Sequence, residues 1–134
     1  MKRAVPERTD FRPAAELPML RERARLLAWI RDWMSGAGVL EVETPILSRR
    51  GNSDPGIRQF RSGRGDQLWL RTSPEHPMKR LLAAGSPDIY ELGRVFRYGE
   101  SGRLHNPEFT LLEWYRVGWD YQRLMEEAAE LVRA

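Results

Sequence analysis

One stretch decides how this chain folds: Arg94-Val-Phe-Arg-Tyr-Gly-Glu-Ser-Gly-Arg-Leu-His-Asn-Pro-Glu-Phe-Thr-Leu-Leu-Glu-Trp-Tyr-Arg116. Strand-forming aromatic and aliphatic residues lie on both sides of a segment that holds two glycines and a proline, which interrupt regular structure. The stretch therefore predicts two facing strands joined by a loop. Ordinary hairpin loops have about two to five residues. This loop is longer and carries Arg97, Glu100, Arg103, His105 and Asn106, so we expect it to hold a polar ligand over a sheet.

Composition bounds the class of protein. The chain has 134 residues, 41% of them hydrophobic, which fits one globular domain with a core of its own. It has no cysteine, which excludes disulfides and thiolate metal sites. No run approaches the roughly 18 apolar residues of a membrane span, and the N-terminus does not read as a signal peptide, so we expect a cytoplasmic protein without membrane contact. A net charge of +3 weakly favours an anionic partner, but the arginines are scattered among acids rather than massed in a stripe.

Local patterns predict three helices and several strands. Residues 1–16, punctuated by prolines, are expected to form a flexible lead-in, and residues 17–134 a folded domain. A helix is predicted over 18–35, then a strand over 39–44, and a hairpin between 57–60 and 68–72. The expected apolar face of the first helix comprises Leu20, Ala24, Leu27, Ile30 and Met34.

Two further helices complete the predicted plan. Ser73-Pro74-Glu75 is a helix-start signal, with the serine as cap, and Gly85 ends that helix. Asp120 caps the last helix, which still runs where the sequence stops, so we expect the chain to be a piece of a larger protein. The order of elements predicts an α+β fold with a mainly antiparallel sheet flanked by helices. The expected buried positions are Met78, Leu81 and Leu82 in the second helix, and Tyr121, Leu124, Met125, Ala128 and Leu131 in the third.

Several polar residues on and around the central strands are candidates for chemistry. Glu113 and Tyr115 share one strand face with Phe109, which suits a pocket floor better than a packed face. The guanidinium of Arg97 is suited to a phosphate or a carboxylate. Taken singly, each has a plain structural explanation: a surface ion pair for Arg97, a core ring for Phe109, and complementing of the helix dipole for Glu75.

The combination of these residues resembles a known family. Gly38-Val-Leu-Glu-Val-Glu-Thr-Pro45 is similar to motif 1 of the class II aminoacyl-tRNA synthetases. Phe96-Arg97 through Phe109-Thr-Leu-Leu-Glu113 is similar to their motif 2 in its lysine-type form, and Thr72-Ser-Pro-Glu75 to the segment between them. The residues of Thr72–Glu75 and of Glu113-Trp-Tyr-Arg116 resemble most closely those of the elongation factor P–(R)-β-lysine ligases, one branch of this family.

The resemblance implies a role for each matching residue. Arg97 would be catalytic and would hold the α-phosphate of ATP, while Phe109 would stack on adenine and Asn106 would contact the nucleotide. Ser73, Pro74 and Glu75 would line the amino-acid pocket, with Glu75 meeting an ammonium group. Tyr115 would contact the substrate, lysine or (R)-β-lysine, and Glu113 would help to neutralise its amino group. The remaining expected ATP-binding positions are Tyr98, Gly99 and Glu100.

This sequence departs from the family pattern in two places. Gly99 stands where the family has an adenine-binding glutamate, which leaves Glu100 as a substitute. Motif 3 is absent, so the chain is expected to be truncated before it, to hold no metal site, and to leave the Mg²⁺ ligands to a missing C-terminal part. The chain alone is therefore predicted to be inactive or nearly so.

The implied reaction is formation of an aminoacyl adenylate from ATP, followed by transfer to a lysine of elongation factor P. Two alternatives stay open: a fragment of a lysyl-tRNA synthetase, whose partner would be tRNA, and a non-catalytic remnant that binds nucleotide, a partner subunit or RNA. The resemblance further implies a homodimer formed through the motif 1 helix and strand.

Overall fold

The structure, a computed structural model, describes residues 13–63 and 67–134. It confirms the predicted α+β class. The expected lead-in lies mostly outside the described residues. In chain order the elements are α1 (Leu17–Gly36), β1 (Leu40–Glu41), β2 (Leu47–Ser48), β3 (Trp69–Leu70), α2 (Glu75–Ala83), β4 (Ile89–Phe96), β5 (Glu108–Tyr115) and α3 (Tyr121–Arg133).

The chain divides into two compact units, residues 1–32 and 33–134. The described part of the first unit is mainly α1, whose side chains there are largely exposed. The predicted apolar face is only partly realised, because Leu20 and Ala24 are exposed, Leu27 and Ile30 are half-buried, and Met34, in the second unit, is fully buried.

The centre of the second unit is a three-stranded sheet in the order β1, β4, β5. β4 and β5 pair antiparallel over their whole length, from Ile89 opposite Tyr115 to Phe96 opposite Glu108. The predicted strand pair is therefore confirmed. β1 adds in parallel through Leu40 and Ile89, a pairing that the local pattern does not specify.

Glycines end the first two helices. Gly38 has φ +71°, its N–H donates to the carbonyl of Ser35 (3.0 Å), and the N–H of Val39 donates to that of Met34 (3.0 Å). This is the Schellman arrangement, and it buries Val39 and Met34 together. Gly85, with φ +91°, ends α2 in the same way.

The predicted hairpin is confirmed only in part, between residues 60–62 and 68–70. Residues 57–60 form no strand, because turns take up the chain before them: the side chain of Asn52 accepts from the N–H of Asp54 (3.1 Å), and that of Asp54 accepts from the N–H of Gly56 (2.8 Å). A bridge joins Arg61 to Trp69, flanked by hydrogen bonds from the N–H of Ser62 to the carbonyl of Leu68 (2.8 Å) and from the N–H of Leu70 to the carbonyl of Phe60 (3.1 Å). β3 also pairs antiparallel with β2.

Burial on the last two helices differs from the apolar pattern. Met78 is buried as predicted, but Leu81 is exposed. On α3, Tyr121 and Met125 are 71% and 64% exposed, so their predicted burial is wrong for this chain. The buried residue of α3 is instead an acid, Glu127.

Glu127 is buried because it has strong partners. Its carboxylate accepts from the indole N–H of Trp114 (2.9 Å) and from Nε and Nη2, one edge of the guanidinium of Arg116. Arg116 also contacts a carboxylate oxygen of Asp88 and the carbonyl of Ala37, each at 3.0 Å. Glu127, above all, raises the pKa of Arg116. This buried network ties α3 to the end of β5.

Candidate active site

The floor of the site is the half-buried carboxylate of Glu113 on β5. Its two oxygens accept from different hydroxyl groups, Tyr115 Oη at 2.7 Å and Ser73 Oγ at 2.7 Å. Burial, reinforced by the hydrogen bond to Glu113, raises the pKa of Tyr115, so its phenol stays a neutral donor. Among the described residues Glu113 has no ion-pair partner within 4.0 Å.

Ser73 reaches Glu113 from the residues just before α2. Its Oγ also accepts from the backbone N–H of Glu75 (3.0 Å). The predicted capping role needs correction: Pro74 occupies the cap position, and Ser73 lies one residue earlier. The serine thus orders the turn into the helix while its proton points to Glu113.

Glu75, the second acid expected to meet an amino group, already has a cationic neighbour. Lys79, one turn further along α2, contacts it at 2.5 Å. This hydrogen bond lowers the pKa of Glu75, although both side chains are largely exposed. Exposed pairs of this spacing contribute only a few tenths of a kcal/mol. Lys79 can therefore be displaced by another cation at little cost.

Arg97 lies directly after β4. Its side chain is 27% exposed and is held loosely, by a long hydrogen bond from Nε to the carbonyl of Thr72 (3.4 Å) and by Glu100 at 3.9 Å. Its guanidinium carbon also lies 5.1 Å from the ring centroid of Phe109. Donors on the guanidinium remain available for a ligand.

Two cavities meet at Arg97. The first, of about 410 Å³, is lined by Ser73, Glu75, Arg97, Leu111 and Glu113 on the side of the sheet and α2, and by residues of the loop around Asn52 and Gln59 on the other. Of the residues expected to bind substrate, Pro74 and Tyr115 do not line it. Pro74 is fully buried, and Tyr115 supports Glu113 from behind.

The second cavity, of about 730 Å³, lies between the end of β4 and the long loop. It brings together Arg97, Gly99, Glu100, Asn106 and Phe109, five of the six positions expected to bind ATP. The sixth position does not line this cavity, because its aromatic ring packs against other residues.

That sixth position is Tyr98. Its ring contacts Phe60 edge to face, with centroids 5.2 Å apart, and lies under the guanidinium of Arg58. The same guanidinium fills the space that a side chain at Gly99 would need, and Gly99 has φ +84°. A glutamate at position 99 would therefore overlap Arg58.

Sequence reasoning missed a buried polar cluster whose Arg71 lines the first cavity. Arg71, immediately after β3, is paired with Glu91 in the middle of β4, and both contact Thr44. The available signal was Gly93, a glycine inside a strand, which marks a close approach by another group. That group is the guanidinium of Arg71.

In residues 13–63 and 67–134 no three His, Cys, Asp or Glu side chains form a group that could hold a metal ion. The described residues thus do not provide a Mg²⁺ ligand set. Within the same residues, no helix combines the length and the apolar character that membrane crossing requires.

Comparison with known proteins identifies the family of the chain. The family model for class II tRNA synthetases (D, K and N) matches residues 7–134, which is nearly the whole chain. The chain belongs to this class II synthetase family. The resemblance expected from the motif 1 and motif 2 segments is confirmed at this level.

Curated relatives show which members of this family the chain resembles. The chain is 47% identical over 132 residues to the elongation factor P–(R)-beta-lysine ligase of Vibrio cholerae, and 47% identical over 131 residues to that of Vibrio vulnificus. These alignments cover 93% and 92% of the chain. The protein of the same name from Yersinia enterocolitica is 47% identical over 134 residues, or 95% of the chain. The chain spans only 41% of the length of each of these relatives.

Proposed function

We propose that this chain contributes the ATP site and the amino-group site of a ligase that activates lysine or (R)-β-lysine as an adenylate and transfers it to a lysine of elongation factor P. One observation carries the proposal. Glu113 is a half-buried carboxylate with two hydroxyl donors and no cationic partner among the described residues, in a cavity that also contains Arg97. Such a carboxylate is suited to an ammonium group from a ligand.

The amino group of the substrate is held by charge and geometry. Tyr115 and Ser73 fix both oxygens of Glu113, so the carboxylate is already oriented before a ligand arrives. A hydrogen bond to a charged group contributes about 1.5–3 kcal/mol. Glu75, whose partner Lys79 is exposed, can receive a second ammonium group. Two acids in one cavity favour a diamino acid over an amino acid with an apolar side chain.

The two substrates are proposed to react at Arg97, and the observation that supports this is that Arg97 lines both cavities. In the first step a carboxylate oxygen of the amino acid forms a bond to the α-phosphorus of ATP, and the bond from that phosphorus to the bridging oxygen of pyrophosphate breaks. The guanidinium stabilises the negative charge that builds up on the α-phosphate oxygens. In the second step the acceptor amine attacks the adenylate carbonyl, loses a proton and displaces AMP.

The second cavity is proposed to bind the nucleotide. Phe109 offers a ring for stacking on adenine, and Asn106 lies in the same lining. The carboxylate that the family places one residue after Tyr98 is supplied here by Glu100, which lines the cavity, since Arg58 occupies the space beside Gly99. Glu100 would accept a hydrogen bond from the exocyclic amine of adenine.

The subunit arrangement proposed for the whole protein is a homodimer formed through the motif 1 segment. On α1, large apolar side chains face solvent in this chain, namely Leu17, Met19, Leu20 and Leu26. Exposed apolar surface of this kind on one helix is typical of an interaction site.

Ligand binding by the chain tests the proposal. Titration with lysine and, separately, with ATP, followed by calorimetry or NMR, is expected to show binding of both. Glu113→Gln keeps a hydrogen-bond acceptor but removes the charge. It is expected to weaken the binding of lysine about tenfold or more while leaving the affinity for ATP unchanged. The matched control Glu126→Gln removes an exposed carboxylate on α3 and should change neither. Unchanged lysine affinity in Glu113→Gln would refute the proposed amino-group site.

The same measurements separate the alternative functions. Aminoacylation of a lysine tRNA, once the chain is completed by a C-terminal portion, would indicate a tRNA synthetase. RNA binding with a steep salt dependence, without binding of ATP or lysine, would indicate the non-catalytic remnant. The isolated chain is expected to catalyse no pyrophosphate exchange.

A further inference from the structure

We propose that Arg71 is the positioning residue for both halves of the site: its buried pair with Glu91 fixes residues 71–73, and these hold Arg97 and Glu113. The inference rests on the proposed function for what the site binds. The positioning itself is a property of the ligand-free chain. It concerns side chains to which neither the resemblance nor the relatives assign a role.

Arg71 is anchored more completely than the ligand-binding residues are. Its side chain is 7% exposed and that of Glu91 is 4% exposed. Nε donates to the carbonyl of Arg94 (2.9 Å), and Nη1 donates to Glu91 and to both the carbonyl (3.1 Å) and the hydroxyl (3.0 Å) of Thr44. The other oxygen of Glu91 accepts from the backbone N–H (3.1 Å) and the hydroxyl (2.7 Å) of Thr44. Both charges are therefore fully partnered, as burial requires.

The backbone of Arg71 is also fixed on both sides. Its N–H donates to the carbonyl of Ile46 (2.9 Å), and its carbonyl accepts from the N–H of Phe96 (2.9 Å). Phe96 is the last residue of β4 and directly precedes Arg97. The start of the 71–73 segment is thus joined to the strand end from which Arg97 projects.

The close packing depends on Gly93. A Cβ at this position would overlap the guanidinium of Arg71 and would also approach Glu91 Oε1 at 3.1 Å. A glycine in the interior of a strand is ordinarily unfavourable. Here its absence of a side chain provides the space in which the Arg71–Glu91 pair forms.

The two residues after Arg71 make the contacts that matter for the site. The carbonyl of Thr72 accepts from Arg97 Nε (3.4 Å), and the hydroxyl of Ser73 donates to Glu113 (2.7 Å). The phosphate-binding cation and the ammonium-binding acid are therefore both oriented by adjacent residues of one short segment. A displacement of that segment would disturb both at once, and misplacement by about 1 Å is enough to reduce activity roughly a hundredfold.

Arg71 also determines which carboxylate is free to bind a ligand. Glu91 lies directly opposite Glu113 in the β4–β5 register, and opposite residues project from the same face of a sheet. Arg71 neutralises Glu91, whereas Glu113 has no ion-pair partner in residues 13–63 and 67–134. The same arginine thus keeps the negative charge of the floor on one residue.

The chain offers a matched control, since it contains a second buried Arg–Glu pair, Arg116–Glu127, whose members line neither cavity. We compare Arg71→Lys, which keeps the charge but loses the planar fork, with Glu127→Gln, both studied at a temperature where circular dichroism shows a folded chain. The ligand-free readouts are the NMR signals of the Arg97 Nε–H and of the Glu113 carboxylate carbon. The binding readouts are the Kd values of lysine and ATP.

Arg71→Lys is expected to shift both NMR signals and to raise the Kd values of lysine and ATP about tenfold each. Glu127→Gln, although destabilised, should shift neither signal and change each Kd less than about twofold. Gly93→Ala is the second variant, should Arg71→Lys fail to fold, and is expected to act in the same direction. Equal effects of the Arg71 and Glu127 variants, or wild-type signals in Arg71→Lys, would overturn the inference. Shifted signals in a chain whose wild type binds neither ligand would overturn the proposed function and support the positioning role.

Discussion

Replacement of Glu127 by alanine is the sharpest test of how this chain is held together. The side chains of Glu127 and Arg116 are 7% and 6% exposed, and the carboxylate accepts from the indole N–H of Trp114 at 2.9 Å as well as from the guanidinium. Glu127→Ala removes all of these bonds together. It leaves the Arg116 cation buried and the indole N–H without this acceptor.

The size of the expected loss of stability depends on the contacts that Arg116 keeps in the variant. Removing one partner of a buried ion pair costs about 3–5 kcal/mol, because the other charge is left uncompensated. Here Asp88 stays within 3.0 Å of Arg116 and the carbonyl of Ala37 stays at 3.0 Å, which limits the loss. The unsatisfied indole N–H adds about 1 kcal/mol. We therefore expect a loss of about 3–4 kcal/mol, or a decrease in Tm of roughly 10 °C for a chain of this size.

Urea denaturation followed by circular dichroism measures the free energy of unfolding, and the m-value checks that the unfolding transition is unchanged in kind. The control is Glu126→Ala at the neighbouring position of α3, which is exposed and should change stability by less than about 0.5 kcal/mol. If the two variants differ by less than about 1 kcal/mol, the buried network does not stabilise the chain and the reasoning is wrong.

Two further predictions concern the alkaline limit and the helix end. Burial and Glu113 raise the pKa of Tyr115, so the folded chain keeps a proton that the unfolded chain loses above a pH of about 10. The free energy of unfolding is therefore expected to fall as the pH rises through this range, and to fall less steeply in Tyr115→Phe. Urea denaturation between about pH 8 and 11 measures the difference between the two proteins. An equal slope in the two proteins would contradict this. Gly38→Ala, at φ +71°, should reduce the free energy of unfolding by about 1 kcal/mol or more. Gly36→Ala, at the last residue of α1, should be neutral or stabilise the chain by about 0.5–1 kcal/mol. Thermal denaturation measures both, and equal effects of the two would count against the assigned cap.

The sequence by itself determined the elements whose signals are local. β-Formers on either side of a glycine- and proline-containing segment specified β4, β5 and the long loop, and the antiparallel pairing follows from their closeness along the chain. Asp120 was recognisable as a cap, and its side chain does accept from the N–H of Arg123 (2.9 Å). The grouping of Glu113 and Phe109 on one strand face needed only the two-residue period of a strand.

Tertiary structure alone decided the features that join distant parts of the chain. β3 pairs with β2 as well as bridging to Arg61, and local composition does not predict the pairing with β2. Likewise, Arg71 and Glu127 look like ordinary surface charges in the sequence, since burial of a charge is possible only where a partner from elsewhere in the chain meets it. Arg71 is held by an acid 20 positions away along the chain, and Ser73 donates to an acid 40 positions away. Such contacts arise from folding and are not specified by any local pattern, which is why the sequence names the residues proposed to bind ligands but not those proposed to position them.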